Sequence, residues 1–205
     1  MTRDAFQSEF RVPRETLDKL DAYVALLLKW SRAINLVADA DPENLWDRHI
    51  ADSAQITHHL KKTPRTWLDF GSGAGLPGLV CHILLQSLGS KFTLVESDQR
   101  KAAFLREANR QLETEAKIVA NRVEEVPTSI YDVVTARAVA PLRKLLPMAE
   151  KFASAQTQLL FLKGSTASKE IKDAREDWDF SLEQIPSITR PDARLLRVTN
   201  IRRLT

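Results

Sequence analysis

The sequence predicts an α/β fold, doubly wound about a mostly parallel sheet with an antiparallel edge hairpin. Three observations carry this. From Arg65 onward, short apolar runs alternate with amphipathic helical stretches, the pattern of strands joined by crossover helices. A glycine-rich turn, Gly71-Ser72-Gly73-Ala74-Gly75, follows the first of these runs directly. The last two strand-like runs have no helix between them, which predicts a hairpin at the sheet edge.

The elements follow in order. Pro13 suits a first helical turn, and Leu17, Leu20, Val24, Leu27 and Leu28 recur at helical spacing, predicting a helix to about Trp30. Asp41 as N-cap with Pro42 behind it starts a second helix, whose stripe is Leu45, His49, Ile56 and Leu60. These two helices make a helical extension, residues 1–62, packed on a single core unit, 63–205. In that core Thr66 to Phe70 reads as a buried strand, Leu76 to Leu88 as a helix, and Lys91 to Glu96 as a strand. A charged amphipathic helix, Asp98 to Leu112, leads to strands at Ala116–Ala120 and Tyr131–Ala136. Then come a helix, Pro141 to Phe152, a strand, Gln158 to Leu162, and the two closing strands, Phe180–Ile188 and Leu195–Ile201.

Composition excludes several classes. The chain has 205 residues, 43% hydrophobic and 28% charged, which is globular rather than disordered. Its single cysteine, Cys81, excludes an internal disulfide framework and a multi-thiolate metal site, and its apolar neighbours place it in the core. The histidines lack spaced acid or thiolate partners, so no metal is expected. The longest apolar run, Tyr23 to Leu28, is far too short to span a bilayer, and the N-terminus lacks a signal-peptide pattern. A cytoplasmic monomer is the expectation. The net charge of +3 is uneven: Arg190 to Thr205 carries five arginines (Arg190, Arg194, Arg197, Arg202, Arg203) against one acid, Asp192. A basic terminal segment fits a phosphate-backbone partner, or a strand edge guarded by charge.

The glycine turn is the richest local signal. Glycines admit positive φ and let a ligand approach the backbone, which then offers N–H groups and the positive end of a helix. Glu96 ends the next strand 21 residues after Gly75, where an acid can accept from both hydroxyls of a ribose. Gly73-x-Gly75-x-x-Gly78 formally matches the dinucleotide fingerprint, but the glycine that follows the strand at once is Gly71, and counting from it the sixth position is Leu76. Asp69, at the end of the strand, would repel a pyrophosphate and attract an amino group. The local chemistry therefore favours S-adenosylmethionine, with Asp69, Gly71, Gly73, Gly75 and Glu96 as its contacts, over NAD.

Further segments carry a resemblance. Asn35-Leu36, Arg48-His49 and Asp52-Ser53, the loop Gly71 to Gly78, Arg122-Val123-Glu124-Glu125, Ala136-Arg137-Ala138 and Leu162-Lys163-Gly164 are similar to the motifs of the RsmG (GidB) family, over about residues 15 to 203. The resemblance implies a Rossmann-like class I methyltransferase that modifies N7 of a guanine, the 530-loop guanine, in bacterial 16S ribosomal RNA. It implies cofactor contacts from Gly71 and Leu76, from Val123 and Glu124 at the adenine edge, and from Arg137. Glu96 stands where many members have aspartate.

Guanine N7 has a free lone pair, so in-line methyl transfer requires alignment and dryness but no general base, and no catalytic acid or base is assigned. Ala136 to Pro141 lacks the Asn-Pro-Pro-Tyr pattern of amide and exocyclic-amine methylation. Arg137 suits either the cofactor carboxylate or a guanine edge. Lys163, Arg202 and Arg203 are candidates for RNA contact. His49 reads as a satisfied core histidine, and Asp52 as an ordinary helix ion pair with Arg48. Two rival functions are an NAD-linked oxidoreductase and a non-catalytic RNA-binding ribosome assembly factor.

Overall fold

The computed structural model describes residues 1–38 and 41–204. Helices α1 (Arg3–Phe10), α2 (Arg14–Ser31), α3 (Pro42–Leu45) and α4 (Asp52–His58) precede the first strand. Of the stripe of α2, Leu17, Leu20, Val24 and Leu27 are buried, with Tyr23 and Leu26 beside them, and Leu28 is half-buried. Between α3 and α4, Trp46–Ala51 is a π-helical turn. Such wider turns re-aim side chains and concentrate at functional sites, and this one carries Arg48 and His49.

The sheet has seven strands: β1 (Thr66–Phe70), β2 (Lys91–Val95), β3 (Lys117–Val119), β4 (Val133–Arg137), β5 (Gln158–Lys163), β6 (Trp178–Pro186) and β7 (Arg194–Arg203). Their order is β3-β2-β1-β4-β5-β7-β6. Strands β1 to β5 are parallel, and β7 runs antiparallel to both β5 and β6. The expected edge hairpin is therefore present, starting two residues earlier than predicted. Chain order reverses between β1 and β4, so the crevice at their carboxyl ends is where a ligand binds in such a sheet.

The crossover helices are α5 (Gly78–Leu85), α6 (Gln99–Gln111), α7 (Leu142–Glu150) and α8 (Ala167–Ala174). Helix α5 starts later than predicted because the turn runs on to Pro77. Asp98 caps α6, accepting from the amides of Arg100 and Lys101. Two helices escape sequence reading. Helix α1 buries only Phe6, and α8 buries only Ala167 and Ala174, too few apolar positions to show a period.

One face of the sheet and the N-terminal helices share a continuous apolar cluster from Phe6 through Trp67 and Phe104 to Leu195. The opposite cluster centres on Phe70, Leu146, Phe161 and Trp178. Cys81 is fully buried, as expected. No described helix is long and apolar enough to cross a membrane.

Candidate active site

The glycine turn is shaped by three positive φ angles, +64° at Gly71, +55° at Gly73 and +90° at Gly75. Its amides point into its own bend: Gly75 N and Leu76 N both donate to Ser72 O, at 2.7 and 3.1 Å. A Cβ on Gly71 would overlap Val139, and one on Gly75 would lie 2.8 Å from Leu79. A Cβ on Gly73 would meet only Gly71 O, 3.9 Å away, so this residue faces open space. Gly73 N donates to Glu96 Oε2 (2.7 Å) and Asp98 N to Glu96 Oε1 (2.8 Å). The carboxylate at the end of β2 is thus fixed against the turn, and each oxygen keeps a lone pair. An open, side-chain-free concavity beside a fixed carboxylate suits the ribose and chain of a nucleoside ligand. Leu76 is buried behind it.

Asp69 is placed differently from its expected direct contact. It has no exposed surface; Thr135 Oγ1 donates to its Oδ1 (2.7 Å) and Gly78 N to its Oδ2 (3.3 Å). Burial lifts its pKa to about 6, against those hydrogen bonds and the pull of Arg137. It acts on the site by pinning β4 and the start of α5 beneath the turn. A second fastening comes from the helical extension: the buried Tyr23 hydroxyl donates to Ala74 O at 2.5 Å. Nothing in the sequence distinguishes Tyr23 from an ordinary core residue. Val123 and Glu124 open a short 3₁₀ turn after β3, and Lys151 donates to the carbonyls of Glu124 (2.7 Å) and Val126 (2.8 Å), holding that turn in place.

Arg137, the last residue of β4, is buried to 18% side-chain exposure. Its Nη1 donates to Asp52 Oδ2 (3.2 Å) and Arg48 O (3.3 Å), and its Nη2 bonds His49 Nδ1. Arginine is always the donor, so His49 Nδ1 is the acceptor there. His49 is therefore half-buried against Arg137 rather than a core histidine, and Asp52 engages Arg137 instead of serving a helix ion pair alone. The reason is the π turn, which the i,i+4 rule does not anticipate. Burial pushes Asp52 up and Arg137 down, while their mutual attraction opposes each shift. After Arg137 the chain turns sharply, with Ala138 at φ +54°.

This corner forms one wall of a cavity of about 540 Å³, also lined by Arg48, His49, Asp52, Lys163, Arg190 and Arg194. Val139 stands in that wall and also presses on Gly71, so the cavity and the glycine turn share it. Lys163 lines the cavity but is engaged: it pairs with Glu170 (2.8 Å) and donates to Ala140 O (2.6 Å), buried to 7% side-chain exposure. Glu170 also accepts from Leu142 N (2.9 Å), so Lys163 and Glu170 brace the β4–α7 corner. The basic tail is largely neutralised as well. Arg190 pairs with Asp192, Arg197 with Glu183, and Arg202 with Asp179, while Arg203 lies exposed at the end of β7. Among the described residues, no group of three or more His, Cys, Asp or Glu is placed to hold a metal.

The sheet order, the glycine turn after β1 and the acid ending β2 together define a class I, S-adenosylmethionine-dependent methyltransferase. Solved structures share the fold: an O-methyltransferase from Bacillus cereus in complex with SAH (TM-score 0.60, 14% identity, 96% of each chain) and the glycopeptide N-methyltransferase MtfA complexed with S-adenosyl-L-methionine (TM-score 0.58, 11% identity, 74% of this chain and 93% of that one). The family model GidB, described as rRNA small subunit methyltransferase G, matches residues 16–196. Curated relatives named ribosomal RNA small subunit methyltransferase G are 43% identical in Cereibacter sphaeroides (97% of this chain and of that protein) and 47% identical in Rhodospirillum centenum (96% and 89%). The chain belongs to this family of small-subunit ribosomal RNA methyltransferases. An NAD-linked oxidoreductase is set aside by that membership.

Proposed function

We propose that this chain transfers a methyl group from S-adenosylmethionine to N7 of one guanine in 16S ribosomal RNA, the 530-loop guanine that the family resemblance implies. It acts as a monomer in the cytoplasm, on naked RNA or the small subunit. The observation that carries the reading is the shared wall at Val139: the cavity and the glycine turn meet there, as donor and acceptor compartments must.

S-adenosylmethionine, when bound, supplies a methyl group on a positively charged sulfur. The turn at Gly71, Gly73 and Gly75 leaves room for it, and Glu96 receives its ribose hydroxyls. Val123 and Glu124 frame the adenine edge, Leu76 closes the floor, and Asp69 supports the turn from beneath. The cavity takes the extruded guanine, and its volume suits a purine. Arg137 lies at the junction, where its guanidinium orients a guanine edge or the cofactor carboxylate. No proton has to leave N7, so the side chains align the acceptor and exclude water. Arg190 and Arg194, at the cavity wall, and Arg202 and Arg203, on β7, extend a basic track for RNA phosphates. Lys163 serves that track through the corner it braces.

The test is labelled-methyl transfer from S-adenosylmethionine into small subunits and naked 16S RNA from cells lacking this protein, followed by nucleoside analysis. A single 7-methylguanosine is expected. Label in any other nucleoside, or in neither substrate, overturns the assignment.

A further inference from the structure

One polar network runs from Arg137 to residues to which the methyl-transfer reading gives no role, Asp52, Gln55, Ser187 and Thr189. Asp52 opens α4, and its two oxygens are committed in different directions. Oδ2 accepts from Arg137 Nη1 (3.2 Å) on β4. Oδ1 accepts from Gln55 Nε2 (2.8 Å), Ser187 Oγ (3.4 Å) and Thr189 Oγ1 (3.3 Å). Ser187 and Thr189 stand in the connection between β6 and β7, more than 130 residues away in sequence. The buried Gln55 completes the link, its Oε1 accepting from Ile188 N (3.2 Å). Asp52, Arg137, Thr189 and Arg190 all line the cavity.

We propose that Asp52 is a positioning residue of the acceptor cavity, one carboxylate that sets the distance between Arg137 on one wall and the Ser187–Thr189 turn on the other. The proposal rests on the reading of this cavity as the acceptor site.

Docking α4 does not need this carboxylate. Ile50, Ala51, Ala54 and Ile56 are fully buried and already hold the segment by apolar contact. A buried ion pair is commonly neutral or costly against an apolar replacement of the same volume, so stability alone gives no reason for it. Geometry does. Arg137 and the Ser187–Thr189 turn belong to different parts of the sheet, with β5 and β7 between β4 and β6. The sheet joins them only stepwise, from Arg137 through Leu162 and Leu195 to Ile185, and ends before the turn; the carboxylate spans the cavity mouth directly, with hydrogen bonds to both. Without it Arg137 swings and the turn slackens, and an acceptor misplaced by about 1 Å reacts about 100-fold more slowly.

The experiment compares wild type with Asp52→Ala, Asp52→Asn, the double variant Ser187→Ala/Thr189→Val, and Asp52→Ala combined with that double variant. Methyl transfer to small subunits gives kcat and KM, and calorimetry gives S-adenosylhomocysteine affinity. With Arg137 facing the guanine edge, the cofactor affinity of every variant is expected within about threefold of wild type, well under the 1.4 kcal/mol of a tenfold change. Asp52→Ala is expected to lose about 100-fold in kcat with a smaller change in KM, and Ser187→Ala/Thr189→Val about tenfold. The combined variant should be no worse than Asp52→Ala, because residues acting as one unit are not additive. Losses that multiply, or a kcat within about threefold of wild type in Asp52→Ala, overturn the proposal. Should Asp52→Ala fail to fold, Asp52→Asn and Ser187→Ala/Thr189→Val decide it by the same kcat criterion. A wild-type protein that transfers no methyl overturns the function itself, and this inference with it.

Discussion

The two halves of the site are made of different materials. The proposed cofactor half comes mainly from one stretch of chain, Asp69 to Asp98, joined by Val123 and Glu124 after β3, and its shape is mostly backbone: three positive φ angles, one side-chain-free face and two amides on one carboxylate. The proposed acceptor half draws on residues 48–52, 137–141, 163–170 and 187–194, and its shape is mostly side chain. A backbone cradle tolerates little, because a single Cβ blocks it. A side-chain cavity is tuned by charge pairs that burial has made strong. The contrast shows in two Arg–Asp pairs of similar length. Arg137–Asp52 (3.2 Å) has side chains 18% and 15% exposed, whereas Arg202–Asp179 (3.0 Å) has them 73% and 53% exposed. Only the first is expected to matter for stability.

Four variants press on that contrast. The largest effect should come from Gly73→Val, which places a branched side chain at φ +55° in the ligand's space. S-adenosylhomocysteine affinity should fall by at least about 1000-fold, or about 4.1 kcal/mol. Retained affinity in calorimetry would show that the turn is not the cradle. Next, Arg137→Ala leaves the buried Asp52 without its paired cation, and chemical denaturation should show a loss of about 3 kcal/mol. A loss under about 1 kcal/mol would place this pair with the surface pairs.

The third prediction concerns pH. Asp69 has a folded pKa of about 6 against an ordinary 3.8, so between these values the native state holds more protons than the unfolded one. Stability contributed by this group therefore falls as pH rises from about 4 to about 6, by up to about 3 kcal/mol, and is level above that. The stability difference between wild type and Asp69→Asn, followed by urea denaturation across that window, should carry this slope. A flat difference would mean that Asp69 is charged throughout. The smallest effect is expected from Arg202→Ala/Arg203→Ala. Stability should change by less than about 1 kcal/mol, while the salt slope of RNA binding should fall by about one to two. An unchanged slope would leave the end of β7 as a guarded edge.

The same contrast decides what the sequence reveals. The sheet, its edge hairpin and the glycine turn with its carboxylate are legible because their signals are local: apolar runs, a glycine cluster, and an acid at fixed spacing. The acceptor half is not. His49 reads as core because a 3.6-residue period puts it on an apolar stripe, whereas the π turn Trp46–Ala51 turns it toward Arg137. Lys163 reads as an exposed cation because nothing nearby in sequence announces Glu170 as its partner. Tyr23 and Lys151 are silent for the same reason, since their acceptors are backbone carbonyls 51 and 25 to 27 residues away. Trp178 is buried, and Trp30 is only half-buried against the core. Long-range side-chain pairings leave no period to read.

The hydrogen bond from Tyr23 to Ala74 has a thermodynamic consequence. It joins the seating of α2 to the conformation of the turn that receives the cofactor. Two equilibria that share a bond are linked, and linkage is reciprocal. Whatever seated helix α2 adds to cofactor affinity, bound cofactor returns as protection of α2. Amides of α2 should therefore exchange more slowly in the presence of saturating S-adenosylhomocysteine.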